Sequence, residues 1–273
     1  MESSWPGTPE HQALLRAVAA FYADDARVRA VCVFGSLVRG NWDAFSDLDL
    51  DVVVADEVVI PVAEELRRLC AAFAPLGESA ALIIPNGTDS GDVVLYSGRQ
   101  LSVRYHPLAA TSPNIIDSLR CLAGPLDPAE IIAAGRAQAA TRAPAEPLAR
   151  LLDRSVRYAV EVDAALQRGR LWPALELLHR MRGLLMLVFG QSRGWPRPEA
   201  AFEAEASPAL QASLAAGVPS FTLPAMRTAL RALLGVLEHD LAELSAGQAV
   251  LSDGQDHLIR QVRGLAVGKG EET

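Results

Sequence analysis

Hydrophobic and polar positions follow two different periods along the first half of the chain. Residues 9–23 repeat apolar side chains at helical spacing, on a face formed by Leu14, Leu15, Val18 and Phe21. Short apolar runs bounded by turn residues predict strands at 27–35, 47–56, 81–85, 93–97 and 100–106. A second helix is predicted over 58–76, and Ser97–Arg99 is expected to join the last two strands as a hairpin. We therefore expect a mixed sheet of about five strands with helices packed on it.

The second half of the chain is helical almost throughout. Its predicted helices, separated by Gly or Pro, cover residues 147–169, 172–190, 198–216, 222–245 and 253–266. Two apolar faces support this prediction: Leu151, Leu152, Val156 and Ala159 on one helix, and Leu175, Leu178, Met181, Leu185 and Val188 on the next. Short links between long helices favour an antiparallel bundle. The fold class is thus α+β, with a sheet domain over 1–140 and a helical domain over 141–273, divided near the proline-containing stretch 142–150.

Composition and charge exclude several classes of protein. Half of the 273 residues are apolar and 21% are charged, as in a folded globular chain, and no apolar stretch approaches the ~20 residues that span a bilayer. A net charge of −8 argues against a nucleic-acid partner and suits a cationic substrate. The first twelve residues do not resemble a signal peptide. Together with three scattered cysteines, expected to be reduced, this predicts a cytoplasmic protein.

Two aspartates open the second predicted strand, within the segment Val31–Val54. Side chains alternate along a strand, so Asp47 and Asp49 are expected on the same side, about 6–7 Å apart along the backbone. Two carboxylates held together repel each other unless they share a cation. Mg²⁺ prefers oxygen ligands and typically takes one or two carboxylates plus substrate phosphates. The pair therefore predicts a magnesium site.

Gly35 and Ser36 end the preceding strand and supply the other half of the candidate site. Glycine lets a phosphate approach the backbone, and a helix beginning at Ser36 would direct N–H groups and a hydroxyl at that phosphate. Arg39, about one turn further on, is positioned for a charge-assisted contact. A corner that holds a triphosphate opposite metal-binding carboxylates is what in-line nucleotidyl transfer requires.

The segment FGSLVRGNWDAFSDLDLDVVV resembles the signature of DNA polymerase β-type nucleotidyltransferases: Gly-Ser, ten residues, then Asp-x-Asp, between two apolar strands. It is most similar to the antibiotic enzymes of that superfamily, the lincosamide and aminoglycoside nucleotidyltransferases. LQRGRLWPALELLHRMRGLLMLV also resembles a helical stretch of their C-terminal domain. The resemblance implies ATP or another NTP, Mg²⁺, and a small-molecule hydroxyl acceptor. It also implies antibiotic resistance as a role, and it raises the expectation of a homodimer with the helical domain in substrate binding or dimerisation.

One position departs from the superfamily pattern, which calls for a third carboxylate on a later strand. The matching residue in QLSVRYHPL is Arg104, which cannot ligate Mg²⁺. Three interpretations follow: Asp92 on the preceding strand takes the role, Asp51 on the same face as Asp49 compensates, or the protein has lost two-metal catalysis and kept nucleotide binding. Arg104 is then a candidate for binding phosphate or a substrate carboxylate, or for pairing with Asp49 in place of a metal.

Further candidates carry weaker signals. His106 precedes a proline and either ends a strand or takes part in catalysis. In the helical half, Arg180 or Arg182 is a candidate for contacting the triphosphate, against the alternative of a solvated helix face. Glu161 and Glu176 are possible general bases for the acceptor hydroxyl, although carboxylates on helix surfaces are commonplace.

The sequence is also compatible with two alternative functions. A protein-modifying, antitoxin-type adenylyltransferase would share the motif, but such proteins are minimal sheet domains and the helical half counts against it. A catalytically impaired nucleotide-binding protein is motivated by Arg104.

Overall fold

A computed structural model describes residues 5–141, 146–195 and 198–264 of the chain. The chain divides into two compact units, Met1–Ala143 and Pro144–Thr273. The first contains a mixed sheet with flanking helices and the second is built of helices, as the α+β prediction required. Within the described ranges, no helix combines the length and the apolar composition needed to cross a bilayer.

The sheet of the first unit has six strands in the order β3-β4-β5-β2-β1-β6. The strands are β1 (Val28–Phe34), β2 (Leu48–Val54), β3 (Ala80–Pro85), β4 (Ser90–Leu95), β5 (Gln100–Pro107) and β6 (Arg120–Ala123). Strands β2 and β5 pair in parallel, and the other neighbours are antiparallel. All five predicted strands are confirmed. The sixth was missed because its four residues are too few to show an alternating pattern.

Within residues 5–141, four helices accompany the sheet: α1 (Pro9–Tyr22), α2 (Ser36–Arg39), α3 (Val62–Ala71) and α4 (Pro128–Thr141). The helix predicted over 58–76 is shorter than expected. Pro61 precedes its first turn, and after Ala72 only a short 3-10 turn (Ala74–Leu76) continues the chain. Proline fits the start of a helix but lacks the N–H that a helix interior needs, so it sets the beginning of α3.

The two faces of the sheet are built from different residues. On one face, alternate residues of β2 (Leu48, Leu50, Val52 and Val54) are buried in a cluster with apolar side chains of α1 and α3. The opposite face carries polar side chains along β2 and β5, which we call the polar face. Only part of it, around Ala30, Cys32 and Val53, is covered by apolar residues such as Ile131 of α4. Burying one face fixes the register of β2 and leaves its odd-numbered residues on the other.

The second unit consists of seven helices among the residues described: α5 (Leu148–Gln167), α6 (Leu171–Ser192), α7 (Pro198–Glu205), α8 (Pro208–Ala215), α9 (Leu223–His239), α10 (Leu241–Leu244) and α11 (Asp253–Arg263). The predicted helix over 198–216 is wrong as a single element. The chain breaks at Ser207, whose side chain accepts from the N–H of Leu210 and starts α8. The prediction over 222–245 likewise splits at Asp240.

The predicted apolar faces of α5 and α6 form the core of this unit. Leu151, Leu152, Val156, Ala159, Leu178, Met181, Leu185 and Val188 are all buried, and Leu175 packs partly buried against them. The link Arg168–Arg170 between α5 and α6 is only three residues long, so these neighbouring helices run antiparallel.

Candidate active site

Gly35 and Asp49 form the centre of the candidate site. Gly35 lies between β1 and α2 with φ = 80° and ψ = −148°, a conformation that residues with a Cβ rarely adopt. A Cβ added at Gly35 would overlap the Asp49 carboxylate, so the absence of a side chain lets that carboxylate lie directly against the backbone corner. A helix begins at Ser36, as predicted, although it is only four residues long. The Gly-Ser corner and one of the paired aspartates are therefore brought together.

Asp47 lies immediately before β2 and is exposed. The loop leading to it is held by His11, a fully buried residue of α1 whose Nε2 lies 2.9 Å from the carbonyl oxygen of Ser46. The backbone N–H of Thr8 donates to the other ring nitrogen of His11, so Nε2 carries the proton and donates to Ser46. His11 thus fixes the backbone next to Asp47, and no motif in the sequence indicated this role.

A second residue absent from the sequence predictions, Ser118, supports the corner. Its buried hydroxyl accepts from the backbone N–H of Gly35 at 3.2 Å and from Nη1 of Arg39 at 3.0 Å. The same guanidinium group lies 3.9 Å from the Asp117 carboxylate. Arg39 is therefore directed toward the segment before β6, close to the corner, as its candidate role in phosphate binding requires.

The register between β2 and β5 corrects one prediction. Asp49 lies opposite Ser102, whereas Arg104 lies opposite Asp51, so Arg104 does not occupy the position beside Asp49. Ser102 in turn lies opposite Asp92 on β4, which places all three side chains in one row on the polar face. The Ser102 hydroxyl donates to Asp92 at 2.8 Å, and the Asn86 side-chain amide donates to the other oxygen of Asp92 at 2.6 Å.

Asp51 and His106 are paired in the interior. His106 Nε2 lies 2.8 Å from both carboxylate oxygens of Asp51, and the two side chains are 1% and 2% exposed. The other ring nitrogen lies 2.8 Å from the carbonyl of Pro107, which can only accept, so it carries a proton. Both groups are engaged with each other, which does not favour Asp51 as a compensating metal ligand or His106 as a group that meets substrate.

Arg104 makes its described contacts away from Asp49. Its guanidinium group lies 3.5 Å from the Asp89 carboxylate and donates to the carbonyl of Ala110 at 3.2 Å. The side chain also lines a polar cleft of about 380 Å³ with Thr111, Ser112, Pro113, Asn114, Gln138 and Thr141, among others. These contacts do not support pairing with Asp49. They are compatible with the other predicted role of Arg104, in binding an anionic group.

The candidates of the helical unit lie in local surface pairs. Arg180 donates to Glu176 at 2.9 Å across one helical turn, and both side chains are more than half exposed. Arg182 donates to the ring of His179, and Glu161 lies 3.7 Å from Arg157. The Glu176 carboxylate raises the pKa of Arg180 further above its usual range. Such contacts are those of an ordinary helix surface and do not single out a general base.

A metal ion would depend on the aspartates at the corner together with groups from a substrate. Across the described residues, no three His, Cys, Asp or Glu side chains are grouped so that they could hold a metal ion. A complete three-carboxylate centre is therefore not present in that part of the chain. Asp49 lies beside the Gly35 corner, and Asp47 is two residues before it in the chain. Two carboxylates are a donor set of the kind and number that Mg²⁺ takes alongside phosphate oxygens.

Comparison with known proteins finds one family model that matches the segment containing the motif. Residues 14–80, from α1 to the start of β3, match the family described as Nucleotidyltransferase domain. This stretch contains Gly35, Ser36, Asp47 and Asp49, and the nucleotidyltransferase prediction is confirmed for it. The match thus covers the part of the first unit from α1 to the start of β3. None of the curated proteins compared with the sequence matches it.

Three solved structures are similar to the whole chain. An aminoglycoside 6-adenyltransferase from Bacillus subtilis is 13% identical, with 94% of this chain and 98% of that chain covered and a TM-score of 0.41. The CCA-adding enzyme of Thermotoga maritima, complexed with tRNA, is 12% identical, with 95% and 71% covered and a TM-score of 0.36. A spectinomycin adenyltransferase from Enterococcus faecialis, with ATP and spectinomycin, is 14% identical, with 92% and 98% covered and a TM-score of 0.31.

Proposed function

We propose that the protein transfers a nucleoside monophosphate, AMP from ATP, to a hydroxyl group of a small molecule such as a lincosamide or aminoglycoside antibiotic, and that the transfer depends on Mg²⁺. The proposal rests on the nucleotidyltransferase match over residues 14–80. The observation that carries it is the direct apposition of the Asp49 carboxylate and the Gly35 backbone. A phosphate group seated at this corner would lie beside a carboxylate that can share a cation with it.

The residues present fit a magnesium ion. Mg²⁺ usually keeps several waters and binds through one or two carboxylates together with substrate phosphates, so Asp47 and Asp49 are a sufficient protein contribution. When bound, the ion would neutralise charge on the leaving pyrophosphate and activate the acceptor oxygen. Two contacts support this proposal: His11 holds the backbone at Ser46, immediately before Asp47, and pairing of β2 with β5 holds the backbone of Asp49.

The corner itself is proposed to seat the phosphates of the nucleotide. The left-handed backbone at Gly35 and the hydroxyl of Ser36 lie at the end of β1, and Arg39 follows at the end of α2. Ser118 holds the Gly35 amide and the Arg39 side chain at the same time, which keeps the cation at a fixed place next to the corner. A cation positioned in this way would bind phosphate oxygens without being reorganised.

Asp92 is proposed to take the part of the third carboxylate, acting through Ser102. Adjacent strands are about 4.8 Å apart, so Asp92 on β4 lies roughly 10 Å from Asp49, with Ser102 between them. The Ser102 hydroxyl donates to Asp92 and keeps its own lone pairs as acceptors. An acceptor hydroxyl bound at Ser102 would therefore reach a carboxylate through one hydrogen-bonded step.

The acceptor is proposed to be a small cationic molecule. Asp47, Asp49 and Asp92 give this side of the sheet a negative charge, and the whole chain carries a net charge of −8. The exposed apolar residues Leu82 and Ile84 of β3 continue the same face beyond Asp92. Charge with neighbouring apolar surface matches an amphipathic, amine-bearing acceptor. The helical unit is proposed to serve substrate binding or dimerisation.

The experiment is a pyrophosphate-release assay with purified protein, ATP and Mg²⁺ across a panel of aminoglycosides and lincosamides, repeated with other NTPs. Asp49→Asn should lower turnover by about 100-fold or more, the loss typical when one preorganised charged group is removed from a reaction centre. Asp56→Asn, which changes an exposed aspartate beyond the other end of β2, is the matched control and should retain activity. Absence of pyrophosphate release with every acceptor and nucleotide would reject the proposal.

A second candidate is a nucleotide-binding protein without turnover. It is favoured by one observation: Ser102, rather than a carboxylate, lies opposite Asp49. This candidate predicts that calorimetry detects ATP binding that is unchanged by added Mg²⁺ and by Asp92→Asn. The transferase proposal predicts instead that Mg²⁺ strengthens ATP binding.

A further inference from the structure

Two cysteines lie opposite each other at the far side of the sheet from β3. Cys32 on β1 and Cys121 on β6 are direct partners in the antiparallel register, so their side chains lie on the same face. Their sulfur atoms are 2.8 Å apart, and both are free thiols. Directly opposed residues of an antiparallel pair have Cα atoms about 4.5–5.5 Å apart, which lies within the range that a disulfide spans. The two strands therefore already hold the pair at bonding reach.

The two thiols are not equivalent. Cys32 is fully buried, whereas Cys121 is only half-buried. The hydrogen bond between the two sulfur atoms lowers the pKa of Cys121 and raises that of Cys32. Burial and the carboxylates of Asp51 and Asp127 act on Cys121 in the opposite direction, but the hydrogen bond is the larger effect. Cys121 is thus both the more accessible sulfur and the one with more thiolate character.

We propose that Cys32 and Cys121 form a reversible oxidation site at which a hydroperoxide converts the two thiols into a disulfide between β1 and β6. The Cys121 thiolate attacks one peroxide oxygen, the O–O bond breaks, and a sulfenic acid and hydroxide result. The Cys32 sulfur then attacks the Cys121 sulfur, and the sulfenic oxygen leaves as water with the proton of Cys32. The hydroxide takes up the proton that Cys121 had lost. Two thiols are oxidised by two electrons and one hydrogen peroxide is reduced to two waters.

The position of the site connects it to the corner described above. Cys32 lies three residues before Gly35, and Cys121 lies three residues after Ser118. The strands that the disulfide would join are thus those whose ends carry the hydrogen bond from Gly35 to Ser118. The proposal concerns the thiols alone and does not depend on the proposed transferase function. A dithiol would reverse it by thiol–disulfide exchange.

The test uses the full-length wild-type protein, hydrogen peroxide as oxidant, alkylation of remaining thiols, and mass spectrometry of a non-reduced tryptic digest. Trypsin places the three cysteines on separate peptides, 30–39, 69–99 and 121–136. We expect 30–39 joined to 121–136 with the loss of two hydrogen atoms, restored to two separate peptides by dithiothreitol. Cys70, a buried residue of α3 whose pKa burial raises to about 11, should remain a thiol and be alkylated after unfolding.

Three results would overturn the proposal: all thiols unchanged, Cys121 carried to sulfinic or sulfonic acid without a link, or Cys121 joined to Cys70 or to a second molecule. Cys70→Ser is the matched control and should form the link as wild type does. Cys32→Ser should abolish the link and leave Cys121 to oxidise further. A further measurement needs no variant: wild-type protein is oxidised in urea. The unfolded chain should lose the preference for the link between Cys32 and Cys121 and should form all three possible disulfides among its three cysteines.

Discussion

The two faces of the same sheet use alternate residues of β2 for different purposes. Leu48, Leu50, Val52 and Val54 close a continuous apolar core with α1 and α3. On the polar face, Asp49 lies at the open corner with Gly35, while Asp51, two residues further on, is buried against His106. One strand thus has one side that stabilises the fold and one side that carries residues of the candidate site. Because side chains alternate strictly, neither side can be shifted without the other.

The largest expected effect lies on the polar face, at the buried pair of Asp51 and His106. His106→Leu leaves a carboxylate with no donor in the interior and should lower the free energy of unfolding by about 3–5 kcal/mol. Replacing both residues by leucine removes the buried charge and should recover most of that loss. Urea unfolding of the single and double variants measures the difference. A double variant no more stable than His106→Leu would show that the pair is not the cause.

The apolar face should respond nearly as strongly. Leu50 is 1% exposed in the core cluster, and Leu50→Ala removes buried methyl groups and leaves a cavity. We expect a loss of about 2–5 kcal/mol in urea unfolding. Leu82→Ala on the edge strand β3 is the control, since this leucine is 56% exposed and should change stability by no more than about 0.5 kcal/mol. Equal losses at the two positions would contradict the division between the faces.

Ser118 tests how the corner is held. Ser118→Ala removes the acceptor of the buried Gly35 N–H, which should cost about 1–3 kcal/mol, and it releases Arg39. We therefore expect weaker ATP binding by calorimetry as well as lower stability. Ser97→Ala, at the exposed turn between β4 and β5, should leave both unchanged. If Ser118→Ala binds ATP with unaltered affinity, Ser118 supports the backbone of the corner but does not contribute to the binding of nucleotide.

Asp25 belongs to a small group of charged side chains in which Arg27 makes ion pairs with both Asp25 and Glu65 of α3. Hydrogen bonds from Arg27 hold the pKa of Asp25 below its ordinary value of 3.8, with burial acting in the opposite direction. A lowered folded-state pKa contributes stability above pH 3.8 that is lost as the pH falls. Asp25→Asn should thus cost about 0.5–1 kcal/mol at pH 7, because the pair is partly solvated. Unfolding curves should converge with wild type below pH 3.8, and a constant gap would contradict this account.

Arg104 should give the smallest change in stability. Its contact with Asp89 is long and both side chains are partly exposed, so Arg104→Gln should alter the free energy of unfolding by less than about 1 kcal/mol. Its effect is expected on the binding of an anionic group in the neighbouring cleft. A large loss of stability in thermal unfolding would instead make Arg104 a structural residue.

The sequence predicted most of the sheet and the centre of the site, because both depend on local patterns. Periodicity located the strands, and the Gly-Ser and Asp-x-Asp spacing placed Gly35 beside Asp49. The partner of Asp49 on β5 was not predictable, since α3, β3 and β4 lie between β2 and β5 in the chain and no short turn sets the register of this pair. The predicted pairing of Arg104 with Asp49 is therefore wrong, because Ser102 lies opposite Asp49 and Arg104 lies opposite Asp51. Ser118 was missed because it precedes a strand too short to show a period.

The hydrogen bond between Gly35 and Ser118 joins positions 83 residues apart. During synthesis, Gly35 and the two aspartates of the Asp-x-Asp motif leave the ribosome long before Ser118 does. A nascent chain that stops short of Ser118 and β6 would have both aspartates but an incomplete corner. Long-range contacts of this kind form late, because loop closure must come first. Nucleotide affinity should consequently arise in one step near the end of the sheet domain rather than grow with the motif. Measuring the nucleotide affinity of truncated chains that end before and after β6 would distinguish a single-step gain from a gradual one.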